Sequence, residues 1–391
     1  AASTANAYLD ELLVSGGNFV RSPGDTRFFT YWHDVHGGVR LGMISDDGLG
    51  AAQRDAGIEY TRKLLRTRFE ISSWGPWTGF RGFELTRDRA KRTVTMTAKR
   101  LIRDGIAELM ADELRFRPAG PCSTDIAKLE LDPIPPVGAF GREAWQARNT
   151  WFRAAVGWAI HVSQLYALAG YPISVLGGQA ASPSEAAVKC MKHLICWFEQ
   201  QMDKGKTWGG GGDESVLVQP PLADMKNMMN TRGGPKPRCL HAFADADLKL
   251  QSRYAGFILL NGACVWDRSR LQPSIAIDIT DSESYAYSVV AVIMEVAAGL
   301  IEDMGYASCV ELPLVIGADN DATLRIAADA ASAKRAIHIL RRMWHTRWLT
   351  DNNTIAGIKL DRDLNLADLG THYSARDVIA YFEPQLMGSG A

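Results

Sequence analysis

Several absences bound what this chain can be. Its six cysteines, at 122, 190, 196, 239, 264 and 309, include no CxxC pair and no zinc-ligand spacing. That excludes a recognisable disulfide framework or zinc ribbon and fits a reduced, intracellular setting, cytoplasmic or nuclear. No window approaches the roughly 18 consecutive apolar residues of a membrane span; the longest run, VVAVIMEVAAGLI, is interrupted by Glu295 and reads as a core helix, so no membrane partner is expected. Neither sign of charge dominates, with 43 Lys and Arg against 44 Asp and Glu. No whole-chain field therefore draws nucleic acid or lipid, and any basic surface must be local. The glycines of GKTWGGGGDES lack a following Lys-Ser/Thr, which excludes a phosphate-binding P-loop. The opening residues AASTANAYLDELL carry no initiating Met, no basic stretch and no long apolar run, so no signal peptide is recognisable and the start reads as cut.

What is present is a core-forming composition: 47% hydrophobic and 22% charged residues over 391 positions, enough for two or three domains. Breaker-rich stretches at 132–141, 205–215 and 232–238 suggest domains of 1–131, 132–231 and 232–391. In the first, FFTYWHDVHGGVRLGMISDDGLGAA reads as strand, Gly-Gly turn, strand, acidic turn and strand, followed by a helix in RDAGIEYTRKLLRTRF. The second is helical, with Ser182 or Ser184 as a cap for the helix in SPSEAAVKCMKHLICWFEQQM. In the third, strands are expected in RCLHAFADADL, SRYAGFILLNGACVW and PSIAIDIT. A long helix from Ser282 to Tyr306 follows, then a strand in LPLVIGAD, helices through 322–348, a strand in TIAGIKLDRDL and a closing helix. This order predicts an α/β fold, a mixed five-stranded sheet with helices on its faces.

In HAFADADLKLQSRYAGFILL, Asp245 and Asp247 stand where a buried strand would carry Val or Ile. Asp disfavours strands, and a carboxylate removed from water costs several kcal/mol unless something positive meets it. Either the strand ends there, or the acids await a cation. Carboxylates stand at further junctions: Glu283 one turn into the long helix, Asp319 at the end of the fourth strand, and Asp368 opening the last helix. Taken singly, each has a plain explanation as a turn acid, a helix cap or a first-turn charge. Taken together they can converge, and a pair of them would repel by about 4 kcal/mol at 4 Å and an effective dielectric near 20. Protonation or a bound dication would then be required.

FADADL, DSESYAYSVV, IGADNDATLRIA and LNLADLGTH resemble, in order and spacing, the RNase H domain of copia-type LTR-retrotransposon Pol polyproteins, whose pattern is roughly Y-S-D-A-D-W, S-T-E-A-E-Y, C-D-N-x-x-A and L-A-D-x-x-T. The resemblance covers about 239 to 385, and VWDRSRLQPSIAID stands where that family has W-S-x-x-x-Q. It implies an RNase H-like fold and a metal-binding catalytic tetrad of Asp245, Glu283, Asp319 and Asp368 that holds two Mg²⁺, or Mn²⁺, and hydrolyses the RNA strand of RNA–DNA hybrids. The chain departs from the pattern at Tyr285 and Ala286, and the family's K-H-I-D survives only as KRAI at 334–337. Upstream, GMISDDGLG, RTRFEISSWGPWTGFRGFELTRD and WFRAAVGWAIHVSQLYALAGYP resemble the palm hairpin and the thumb and connection of the same family's reverse transcriptase. This implies a polymerase remnant at Asp46 and Asp47, although Ile44 replaces the family's Tyr. The 45 residues ahead of the hairpin are too few for the family's other palm Asp. The resemblance thus implies a C-terminal Pol fragment, with room for assembly with a longer Pol chain or in a virus-like particle, or a decayed or repurposed copy acting as a nucleic-acid-binding or scaffold subunit.

A hybrid must also be gripped by its backbone. In AKRAIHILRRMWHTRW, Lys334, His338, Arg341 and His345 fall on one helical face, and Arg335 and Arg342 widen it; a solvated face explains the same pattern. Trp344 and Trp348 are expected in the core, His161 and His193 as packed residues, and MKNMMN as a flexible surface segment.

Overall fold

A computed structural model describes residues 7–44, 47–110, 116–209, 221–230, 240–333 and 337–388. The chain divides into two compact units, Ala1–Arg81 with Glu295–Val310, and Gly82–Met294 with Glu311–Ala391; positions 132 and 232 both lie inside the second.

The first unit holds an antiparallel meander in the order β1 (Val20–Arg21), β2 (Phe28–His33), β3 (Gly37–Ile44) and β4 (Asp47–Ala52). Gly37 takes φ +70 at the β2–β3 turn, where a side chain would be strained. Helix α1 (Asp55–Arg66) follows, and later the short strand β5 (Gly79–Phe80). Alternation along β2 and β3 sends Phe29, Tyr31, Val39 and Leu41 inward, where they pack with Leu13, Phe19 and Leu65.

The second unit begins with β6 (Phe83–Asp88) and β7 (Thr93–Thr97), which pair antiparallel, and β8 (Lys206–Gly209) adds to β7. Between them lie helices α2 (Lys99–Leu109), α3 (Arg142–Ser163), α4 (Gly170–Gly178) and α5 (Glu185–Gln201). Ser184 is the cap of α5, its Oγ accepting the Ala187 N–H at 3.2 Å. The Met pairs form helix α6 (Leu222–Met229), which buries Met225 and Met229 rather than floating on the surface. His193 and His161 are packed as expected: His193 Nε2 lies 2.9 Å from the Gly120 carbonyl, and His161 meets the Phe83 ring at 5.2 Å.

A five-stranded mixed sheet dominates the rest of this unit. Its strands are β9 (His241–Ala246), β10 (Arg253–Leu260), β11 (Ala263–Leu271), β12 (Leu314–Ala318) and β13 (Ile355–Lys359), in the spatial order β11-β10-β9-β12-β13. β9, β10 and β11 are antiparallel neighbours, whereas β12 runs parallel to both β9 and β13. The segment expected as one strand, SRYAGFILLNGACVW, is a hairpin. Asn261 and Gly262 both have φ > 0, the two-residue turn that Asn-Gly favours. PSIAIDIT is accordingly not a strand: 273–278 form a connection, and Ile279 and Thr280 open the long helix.

Helix α7 (Ile279–Asp303) follows, split between the units after Met294. Among the described residues it is the one helix long and apolar enough to cross a membrane. It buries Ala286, Tyr287, Val290, Ala291 and Met294, as a core helix does. Helices α8 (Asp321–Ala328), α9 (Ile337–Arg342) and α10 (Trp344–Asp351) precede β13, and α11 (Arg376–Met387) closes the chain. One continuous core joins α2–α6 to the sheet through residues such as Phe152, Leu194, Phe198, Phe243, Phe257 and Val315.

Candidate metal centre

β9 and β12 are parallel neighbours at the middle of the sheet, so their C-terminal ends open on the same edge. β9 delivers Asp245 one residue before it ends, and β12 delivers Asp319 at its first step beyond Ala318. The third carboxylate, Asp368, comes from a 3₁₀ turn, Leu366–Gly370, that precedes α11; it does not open that helix as expected. Among the described residues, ligand oxygens of Asp245, Asp319 and Asp368 all lie within 4.8 Å of one another. Asp247 lies just past the strand, where its side chain accepts the Arg253 N–H at 2.5 Å and pairs with Lys249 at 2.7 Å. Of the two acids in FADADL, then, one is buried in the group and the other finishes a turn.

Local bonding fixes the arrangement. Thr371 donates its hydroxyl to Asp245 Oδ2 at 2.7 Å, and Asn365 Nδ2 donates to the Ala244 carbonyl at 3.1 Å. The Asn365 side chain also accepts the Ala367 N–H at 3.2 Å, starting the turn that carries Asp368. Gly370 completes that turn against β10: a Cβ there would stand 2.4 Å from the Ala255 Cβ. On the other side, Asn320 caps α8 by accepting the Thr323 N–H at 2.9 Å, and Lys359 donates to the Asp319 carbonyl.

Asp245, Asp368 and Glu283 resist ionisation. Burial, and then the neighbouring Asp368, pushes Asp245 up to about 7. Burial and Asp319 push Asp368 up to about 6. Glu283, on the second turn of α7, is buried and stands outside the tight group, yet all three Asp residues act on it; burial and their charge push it up to about 10. The Ala246 backbone at the end of β9 acts in the opposite sense and favours the Glu283 charge. Desolvation draws His372, which follows Thr371, in the opposite direction. Asp319 Oδ1 is buried without a hydrogen-bond partner, the condition a ligand would relieve. An oxygen-only set of this kind suits a hard dication such as Mg²⁺ or Mn²⁺ and needs no Cys or His.

Other predicted positions fare differently. Asp46, Lys334 and Arg335 lie outside the described residues. Asp47 is exposed and opens β4, paired with Ile44. The expected basic helix is broken at Met343, whose burial ends α9 and starts α10, so no single helical stripe runs to His345. His338 and Arg341 are exposed, but Arg342 is drawn inward, ion-paired with buried Asp281 and lying 5.4 Å over the Tyr285 ring. Trp344 and Trp348 are not core residues: they are 76% and 53% exposed, and His345 stacks on Trp348 at 5.8 Å. The positioning groups Thr371 and Asn365 went unassigned from sequence, although Thr371 sits in the L-A-D-x-x-T pattern itself.

No protein-family model, curated protein or solved structure matches the chain. The fold and the site together define a mixed α/β protein with a carboxylate cluster at the edge of its central parallel pair.

Proposed function

We propose that the chain is a metal-dependent endonuclease of the RNase H type, with an RNase H-like fold, acting on the RNA strand of RNA–DNA hybrids. The observation that carries this reading is the meeting of Asp245, Asp319 and Asp368 within 4.8 Å at the ends of two parallel strands and an adjoining turn. In it, these three acids hold Mg²⁺, and Glu283 stands beside them. Bound divalent ions supply activation of water and stabilisation of the leaving 3′ oxygen. The chain's own part is to orient and compensate: Thr371 fixes the Asp245 rotamer, and the turn from Leu366 to Gly370 sets Asp368. His338, Arg341, Trp344 and the His345–Trp348 stack are each exposed, and side chains of these kinds suit phosphate and sugar contacts.

The test is hybrid cleavage by the full chain with Mg²⁺ and with chelator. Cleavage in Mg²⁺ alone, lost in Asp319→Asn while hybrid binding persists, supports the reading; equal activity of variant and unmodified chain overturns it. A second reading, a non-catalytic nucleic-acid-binding subunit, draws support from Glu283 standing outside the tight group, and predicts binding without cleavage in either condition.

A further inference from the structure

The stretch LDPIPPVGAFG, residues 131–141, borders no domain and lies within the second unit, yet it turns its apolar side chains to solvent. Leu131, Ile134, Val137 and Phe140 are all exposed, Val137 by 92% and Phe140 fully. Exposed apolar residues scattered singly need no explanation, but here they cluster along one segment, with exposed Pro133 and Pro136 among them.

The backbone gives the segment a definite shape. Leu131 bridges antiparallel to Pro183, and beyond it residues 132–136 take neither helix nor strand. Pro133, Pro135 and Pro136 each fix φ at about −65° and hold the preceding residue out of the helical region, which favours polyproline II. That helix repeats every three residues, and burial follows the same period. Asp132 and Pro135 are half-buried, while Pro133 and Pro136 form one exposed ridge and Ile134 and Val137 a second. A type II turn ends the run: the Ala139 N–H donates to the Pro136 carbonyl at 3.1 Å, and Gly138 takes φ +81.

The inward ridge is fastened. The Asp132 N–H donates to the Ser182 carbonyl at 3.0 Å, and its carboxylate pairs with Arg148 at 2.7 Å. Arg142 donates to the Pro135 carbonyl and lies 4.6 Å over the Trp145 ring, whose Nε1 donates to Ser182 Oγ at 2.8 Å. A partner therefore meets a strap that is already ordered. The prolines also exclude strand addition, because 133, 135 and 136 have no N–H to offer the edge of another sheet.

We infer that residues 132–137 are a docking ligand for a proline-recognising protein domain, whose aromatic-lined groove takes Pro133 and Pro136 along one ridge and Ile134 and Val137 along the other. Phe140 follows the turn as a further apolar anchor. Exposed Glu130 and Glu143 flank the segment, so the complementary groove has a basic rim. The inference stands apart from the nuclease reading.

The experiment titrates the full chain with a panel of purified WW and Src-homology 3 domains, read by fluorescence anisotropy, and follows the chain alone by sedimentation. At least one domain is expected to bind in the micromolar range. Pro133→Ala and Pro136→Ala should each weaken that binding roughly tenfold, whereas Pro135→Ala, on the fastened ridge, should leave it within about threefold. Val137→Ser keeps every proline and should weaken binding with thermal unfolding unchanged, which separates loss of contact from loss of fold. Three results overturn the inference: no domain of the panel binds, Pro135→Ala weakens binding as much as Pro136→Ala, or the chain self-associates and Val137→Ser returns it to monomer. The last assigns the strap to a second copy of the chain.

Discussion

Asp245 sits under burial and like charge at once. It is 5% exposed, faces two other acids and has one hydroxyl donor, Thr371, to favour its charge. Thr371→Val removes that donor while keeping the shape; it should destabilise the chain by about 1–2 kcal/mol at neutral pH and move the Asp245 pKa further up. The sign of the pH dependence follows from the upward shifts. Between about 4 and 7 the folded chain keeps protons on Asp245 and Asp368 that the unfolded chain has released, so metal-free stability falls as pH rises through that window. Glu283 extends the fall toward 10. Thermal midpoints in chelator should therefore decline from pH 5 to pH 8, and Mg²⁺ should raise the midpoint more at pH 8 than at pH 5. A cation binds the ionised form, and lowering pH restores the proton in its place. Asp368→Asn should flatten the metal-free profile and stabilise the chain at pH 7 by on the order of 1 kcal/mol, discounted for partial exposure, while abolishing the Mg²⁺ effect.

The elements show how such acids are held in place. Gly370 lets the turn carrying Asp368 close on β10, leaving no space for a methyl group between it and Ala255. Gly370→Ala should cost about 1–3 kcal/mol by overpacking. Under the proposed reading it should also weaken Mg²⁺ binding, read by calorimetry, because the turn must carry Asp368 away from Asp245 and Asp319. At this scale the sequence is legible where periodicity and turn chemistry agree. The two parallel strand ends, the long helix and the acids on them could all be placed from residue patterns. Asn261-Gly262 carried a hairpin signal that the surrounding apolar run concealed, since an unbroken hydrophobic stretch reads equally as one long buried strand. The break at Met343 had no local signal: no Gly or Pro marks it, and tertiary burial of Ile339, Met343, Thr346 and Leu349 sets where each short helix turns inward. The outward turn of Trp344 and Trp348 follows from that break, and composition alone favours burying tryptophan.

For the molecule as a whole, the two units have separate cores of very different extent. The first rests on a small cluster around Phe29, Tyr31 and Leu41, the second on a core running from Phe83 to Met387. Amide exchange should accordingly be slowest in β9, β10 and β12 and faster throughout β1–β4, with denaturant releasing the smaller unit first. Uniform protection across both units would contradict this. Connectivity between the units was not legible in advance. Linear segmentation at Gly- and Pro-rich stretches assumes contiguous domains, whereas α7 serves both units and residues 295–310 return to the first.

Ser269, on β11, donates to the Gly370 carbonyl at 2.5 Å, at the end of the turn that bears Asp368. Under the proposed reading one hydroxyl of the third sheet strand would thus anchor the loop that supplies a metal ligand. Ser269→Ala should weaken Mg²⁺ binding, read by calorimetry, more than it lowers the thermal midpoint in chelator.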